Sequence, residues 1–231
     1  MLPERDNKVI VRSSVLSKRW RFLWKSVPIS LHLNHFDEVN RELHYWRSFE
    51  KIRKCRASLY NKNMSYAKDA DLWVHFAIKV AKVEDFSLID FKGKFFYELP
   101  QFAYTSTSLR NLVLSGCKLK PSGSVNWSNL VLLSIRNQKL KEGVARKVLS
   151  GCPNLECLEL NNVWGINHLE ISSVKLRKLT IEYYRYGMLE ILAPCFHHLQ
   201  ISGFCEGIRL QQIIASELWR LASLYIDSIR T

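Results

Sequence analysis

The side chains with the most chemical potential in this chain are six thiols, seven imidazoles and a run of cations around two indoles, Trp20 and Trp24. Cys195, His197 and His198 lie close together, as a Cys–His nucleophile or a metal site would require. The spacing fits no zinc signature. His197 and His198 are also adjacent ahead of Leu199, so on a strand they point to opposite faces. The remaining thiols, Cys55, Cys117, Cys152, Cys157 and Cys205, form no Cys-x-x-Cys pair. The N-terminal MLPERDNKVIVRSS has no apolar run of the kind an export signal carries. Reduced thiols in a cytosolic or nuclear protein are expected. No phosphate loop, dinucleotide fingerprint, zincin or nucleophile elbow is present. The sequence therefore points to no catalytic residue, no metal and no cofactor.

The cations suggest different chemistry. Arg12, Lys18, Arg19, Arg21 and Lys25 could meet phosphates, and the chain carries a net charge of +13. Residues 1–68 hold 15 basic and 6 acidic side chains, a net of +9. Such a front end suits nucleic acid or an acidic protein surface; a plain solvated face is the ordinary alternative. Trp20 and Trp24 argue against nucleic acid. They fall on an apolar stripe with Val15, Leu16, Leu23 and Val27, whereas base stacking needs an open aromatic platform. Ser13 and Ser17 are suitable N-caps, so two short helices are expected here.

Further along, one spacing recurs. In SLRNLVLSGC the apolar positions Leu109, Leu112, Leu114 and Cys117 have offsets of 0, +3, +5 and +8. The same offsets start at Val83, Leu130, Leu155, Leu176, Phe196 and Leu221, with a short copy at Ile166. This is the leucine-rich-repeat signature and period. The central Leu-x-Leu pair points both side chains to one face of a short strand. One coil cannot bury that face, whereas stacked coils share a dry interior with parallel strands. The final position is Cys117 once and mostly apolar or aromatic elsewhere. The turns are thus expected to be held by packing rather than by an amide ladder.

Between the inward pairs lie Ser87, Asn111, Val113, Ser134, Arg136, Glu159, Asn161, Glu170, Thr180, Glu182, Gln200 and Tyr225. On a solenoid these line the concave strip, the usual partner surface. The candidates for binding a target protein are Asn111, Arg136, Glu159, Glu170, Thr180, Glu182, Gln200 and Tyr225. Two helices are expected on the returns. EGVARKVLSG sets Val144, Val148 and Leu149 on one face, with Gly151 as C-cap. DADLWVHFAIKVAKV starts at Asp69 or Asp71 and presents Leu72, Phe76 and Val80, as a cap ahead of the first repeat. Leu43, Trp46, Phe49 and Ile52 have near-helical spacing within a basic linker.

Length and composition agree with one domain, or one domain plus a small appendage. Apolar residues make up 47% and charged residues 24% of 231, close to the globular average. No run of about 18 apolar residues exists to form a membrane-spanning helix.

The run VRSSVLSKRWRFLWKSVP, residues 11–28, closely resembles the second half of a plant-type F-box. DLWVHFAIKVAKVEDFSL, residues 71–88, resembles the helix and first repeat that follow the linker in plant F-box/leucine-rich-repeat proteins. LSGCPNLECLEL, residues 149–160, is similar to that family's recurrent CP-x-LE-x-L-x-L element. The resemblance covers about residues 9–34 and 71–231. It implies an α/β fold: a leucine-rich-repeat solenoid of parallel short strands with irregular or helical returns, preceded by a small helical F-box. The implied divisions are 1–34, a partial F-box; 35–70, a basic, partly helical linker; and 71–231, the solenoid with its capping helix.

The implied function is that of a substrate receptor in an SCF-type cullin-RING ubiquitin ligase. Val15, Leu16, Lys18, Arg19, Trp20, Leu23 and Trp24 would dock on the adaptor subunit, and the repeats would hold an unknown target. Ubiquitin transfer would belong to other subunits. The LP-x-x-LL-x-x-IL helix that opens a complete F-box is missing ahead of this run, and the last coil, SLYIDSIRT, has no polar cap. Weakened adaptor docking in a truncated member is therefore expected, with a non-functional product or a nucleic-acid binder as alternatives.

Overall fold

The computed structural model describes residues 29–33, 43, 46, 52–59, 66–90, 97–171, 173–184, 189–192, 198–203 and 208–211. The strands are β1 (Ile29–Leu33), β2 (Ile52–Leu59), β3 (Asp85–Asp90), β4 (Tyr97–Glu98), β5 (Asn111–Ser115), β6 (Cys117–Lys118) and β7 (Leu132–Lys139). They continue with β8 (Cys157–Trp164), β9 (His168–Glu170), β10 (Lys178–Glu182), β11 (Leu189–Leu192), β12 (His198–Ser202) and β13 (Ile208–Gln211). Helices whose bounds lie within the described residues are α1 (Tyr66–His75), which runs on into a wide-turn segment at Phe76–Val80, and α2 (Glu142–Ser150). A 3-10 turn spans Gln101–Thr105.

Eight strands form one parallel sheet in the order β1-β2-β3-β5-β7-β8-β10-β12. The register aligns the repeat positions directly. One column reads Leu31, Cys55, Phe86, Leu112, Leu133, Leu158, Leu179 and Leu199. A second, two residues on, reads Leu33, Ala57, Leu88, Leu114, Ile135, Leu160, Ile181 and Ile201. All of these side chains are buried except Ile201, which is partly so. Each strand hides one face only because its neighbours extend the same apolar floor, as a leucine-rich-repeat solenoid must. The fold expected from the repeat spacing is the fold formed.

The sheet also begins earlier than the recognised repeats. β1 and β2 lie in the segments expected to be partial F-box and linker. Leu43 and Trp46 are helical and buried, but Ile52 belongs to β2, so the helix expected across all four apolar positions does not continue to it. Helix α1 is the return between β2 and β3, one coil in from β1, rather than a cap ahead of the array.

The two expected N-caps of this helix, Asp69 and Asp71, lie inside it. Its buried face also differs from expectation. Leu72 is 51% and Val80 41% exposed, while Ala70, Trp73, Val74, Phe76, Ala77 and Ile78 are buried. The Ala81 amide donates to the Phe76 carbonyl, five residues back. Such a widened turn rotates the residues that follow it away from four-residue spacing.

The return layer holds the rest. The short copy at Ile166 does not join the main sheet. It contributes β9 to a second parallel sheet in the order β13-β11-β9, while β4 pairs with β6. Helix α2 buries Ala145, Val148 and Leu149. Gly151 caps it as expected, but with a right-handed φ of −81°. Glycine is needed there for closeness: an added Cβ would meet the Val125 carbonyl oxygen at 2.5 Å. Trp127, fully buried, donates its indole N–H to the Ala103 carbonyl at 2.8 Å and stacks on Tyr104.

The bend at the end of each strand repeats too. Gly116, Asn137, Asn162, Tyr183 and Gly203 occupy equivalent positions, and all have φ between 49° and 75°. Glycine and asparagine tolerate this left-handed backbone best. The Asn137 Nδ2 donates to Ser115 Oγ, and the Asn162 Nδ2 donates to Asn137 Oδ1. An amide ladder thus helps hold the turns after all, one residue before the position where repeats of this type usually carry it.

Candidate functional site

Alternation along each strand determines what the sheet offers to a partner. Because the two leucine columns face inward, the residue between them faces outward. That outward column reads His32, Arg56, Ser87, Val113, Ser134, Glu159, Thr180 and Gln200. Asn111 lies on the column before it, and Arg136, Asn161 and Glu182 on the column after it.

The polar groups on this face are bonded across strands. Lys54 Nζ reaches Asp85 at 2.9 Å, and Asp85 also accepts from the Asn111 amide. Arg136 donates from Nε to Ser134 Oγ at 2.8 Å and from its guanidinium terminus to Glu159 at 2.9 Å. Asn161 donates to Glu182. Each half-exposed ion pair contributes at most about 1 kcal/mol to stability. Their effect is to fix side-chain directions. The Arg136 side chain lies over Ser134, which is 0% exposed although it points outward. Thr180 is 7% exposed, and its hydroxyl has no hydrogen-bond partner among the described residues.

The structure therefore brings Asn111, Arg136, Glu159, Thr180, Glu182 and Gln200 onto one face. Glu170 is placed elsewhere. It sits in β9 of the second sheet and pairs with Arg146 of α2 at 3.8 Å. The reason is the short copy's position in the return layer, which its leucine spacing alone does not reveal. Val15, Leu16, Lys18, Arg19, Trp20, Leu23, Trp24 and Tyr225 lie outside the described residues, as do Arg12, Arg21, Lys25, Cys195, His197 and Cys205. Sequence reasoning missed His32 and Arg56, because β1 and β2 were not recognised as coils. The signal was present: Ile52, Cys55 and Ala57 keep the 0, +3, +5 offsets with smaller side chains.

The thiols have a different character from nucleophiles. Burial pushes Cys55 and Cys152 up to about 12. Cys157, half-buried on the outward face, is raised by burial first and by the Glu159 carboxylate second. A thiol so shifted stays protonated near neutrality, and only the thiolate attacks or ligates. Among the described residues no group of three or more His, Cys, Asp or Glu side chains could hold a metal ion. No helix among them is long and apolar enough to cross a membrane. Among the described residues the arrangement is a broad, ordered polar face.

Comparison with known proteins places this geometry. The family description "FBD-associated F-box protein At5g56370, LRR repeats" matches residues 70–224. The chain is 32% identical to F-box/LRR-repeat protein 25 of Arabidopsis thaliana over 85% of its length and 78% of that protein's. It is 31% identical to F-box/LRR-repeat protein At3g03360 of the same plant, over 96% of its own length and 49% of the relative's. F-box protein At5g03100, also from Arabidopsis thaliana, is 31% identical over 88% of the chain and 66% of that protein. The chain thus spans about half to three quarters of the length of these relatives. No solved structure matches. With the strand register, the family match and the relatives in agreement, the chain belongs to the plant F-box/LRR-repeat family.

Proposed function

We propose that this chain is the substrate-receptor part of an SCF-type ubiquitin ligase. The front segment around Trp20 and Trp24 docks on the adaptor subunit. The outward face of the eight-stranded sheet holds the protein to be modified. Ubiquitin transfer is carried out by other subunits, and the chain supplies position rather than chemistry. Its place of action is the cytoplasm, the nucleus or both.

The observation that supports this reading most is the outward column from His32 to Gln200. It carries charged, hydroxyl and amide groups at the strand spacing of about 4.8 Å, over a continuous apolar floor. Glu159, Thr180 and Gln200 of that column, with Asn111, Arg136 and Glu182 of the columns beside it, are the proposed contacts.

The test is capture of the purified adaptor by the full chain. Binding that weakens in Trp20→Ala and Trp24→Ala, and strengthens when an LP-x-x-LL-x-x-IL helix is added ahead of Met1, supports the role. If neither the native nor the extended chain captures the adaptor, the ligase role is lost.

A further inference from the structure

A second surface lies along the edge where the main strands begin, apart from the outward face. A groove of about 650 Å³ runs there, lined among others by Lys82, Glu84, Thr107, Arg110, Asn129, Glu156 and Lys175. Its floor is fixed main chain. The Arg110 amide donates to the Glu84 carbonyl at 2.7 Å, and the Arg110 carbonyl accepts from Val131 at 2.8 Å. The neighbouring Leu109 is fully buried and anchors the residue from below.

The charges in this groove do not balance. Glu84 is neutralised from outside by Arg53 at 3.0 Å. Lys175 Nζ donates to the Asn154 amide oxygen at 2.6 Å and to no carboxylate among the described residues. Lys82 and Arg110 are exposed and have no ion-pair partner among the described residues. Glu156 alone remains against three cations. On the outward face, Lys54 and Arg136 are each matched by a carboxylate. An unpaired guanidinium on a rigid strand entrance is a ready acceptor site for a carboxylate, which it can grip with two parallel N–H bonds.

We propose that this groove binds an acidic extended peptide segment, with Arg110 as the carboxylate receiver and Lys82 and Lys175 flanking it. Arg110 is held in position by its main chain while its side chain is uncommitted, so the site is formed before binding and little side-chain packing is lost if the guanidinium is removed.

The experiment titrates the full chain with a fluorescein-labelled peptide of alternating Glu and Gly, beside a Gln–Gly control. The Glu peptide is expected to bind, with affinity falling as salt rises. Arg110→Gln should weaken it about tenfold while leaving thermal unfolding unchanged. Lys120→Gln, which removes an exposed cation that does not line the groove, should leave binding as it was. Three results overturn the proposal. One is equal binding of the Gln peptide. Another is an equal loss in the Lys120 and Arg110 variants, which assigns the effect to the net charge of +13. The third is a single-stranded RNA that displaces the peptide and itself depends on Arg110, which makes the groove a nucleic-acid site.

Discussion

Asn162 donates its side-chain amide to the Asn137 side-chain oxygen at 3.1 Å, and both residues have left-handed backbone, with φ of 49° and 53°. Two requirements meet at each position, a bend that side chains resist and a bond that only an amide makes. Asn137→Ala loses both. It should cost about 2–3 kcal/mol, from left-handed strain and lost hydrogen bonds. Asn137→Gly keeps the bend and should cost about 1 kcal/mol. Denaturant titration compares them; a glycine variant as unstable as the alanine variant would show that conformation plays no part.

The inward columns should be far more sensitive than the outward one. Leu158 and Leu179 are paired neighbours and fully buried, while Glu159 between the columns is partly exposed. Leu158→Ala and Leu179→Ala should each cost about 2–5 kcal/mol, and Glu159→Ala less than about 1 kcal/mol. Equal small losses at all three sites in urea would contradict the inward and outward assignment.

Gln138 lies in the interior at 1% exposed, and neither its amide nitrogen nor its oxygen has a partner among the described residues. A buried amide left unbonded costs about 1–3 kcal/mol. Gln138→Met preserves shape and removes that cost, so it should raise the unfolding midpoint. A lower midpoint would mean that the amide is bonded after all.

Alkaline pH should destabilise the fold. Cys55 and Cys152 are raised from 9.0 to about 12 by burial, so the unfolded chain loses these protons first. Between those limits the native state binds more protons, and unfolding free energy must fall as pH rises. Each thiol adds about 1.4 kcal/mol per pH unit to the slope. Stability measured from pH 8 to 11 should therefore decline from about pH 9, and less steeply in Cys152→Ala. An unchanged slope in that variant would remove its thiol from the explanation.

The parts of this fold that were legible in the sequence are those where large apolar side chains alternate. Leu112 and Leu114, or Leu158 and Leu160, declare a strand, its inward face and its neighbours' register at once. β2 was hidden because Cys55 and Ala57 fill its inward slots with small side chains, whose apolar pattern is faint; β1, despite Leu31 and Leu33, follows directly on the run read as F-box. β11 and β13 were hidden because they fall between the recognised copies of the repeat. Val80 was misplaced because the wide turn after Phe76 breaks the four-residue spacing. Glu170 was assigned to the strip because its local pattern, HLEI, is the same as that of a main-sheet strand. Local spacing determines which way a side chain points but not which sheet receives its strand.

The central claim is that targets meet the outward face of the eight-stranded sheet. It is tested most directly by placing a photo-crosslinking amino acid at position 159, 182 or 200, and separately at position 170, in chains recovered with the adaptor. The same target protein should be trapped from the first three positions and not from 170, which faces out of the second sheet. Trapping from 170 alone, with the first three silent while the adaptor is still bound, would contradict the claim.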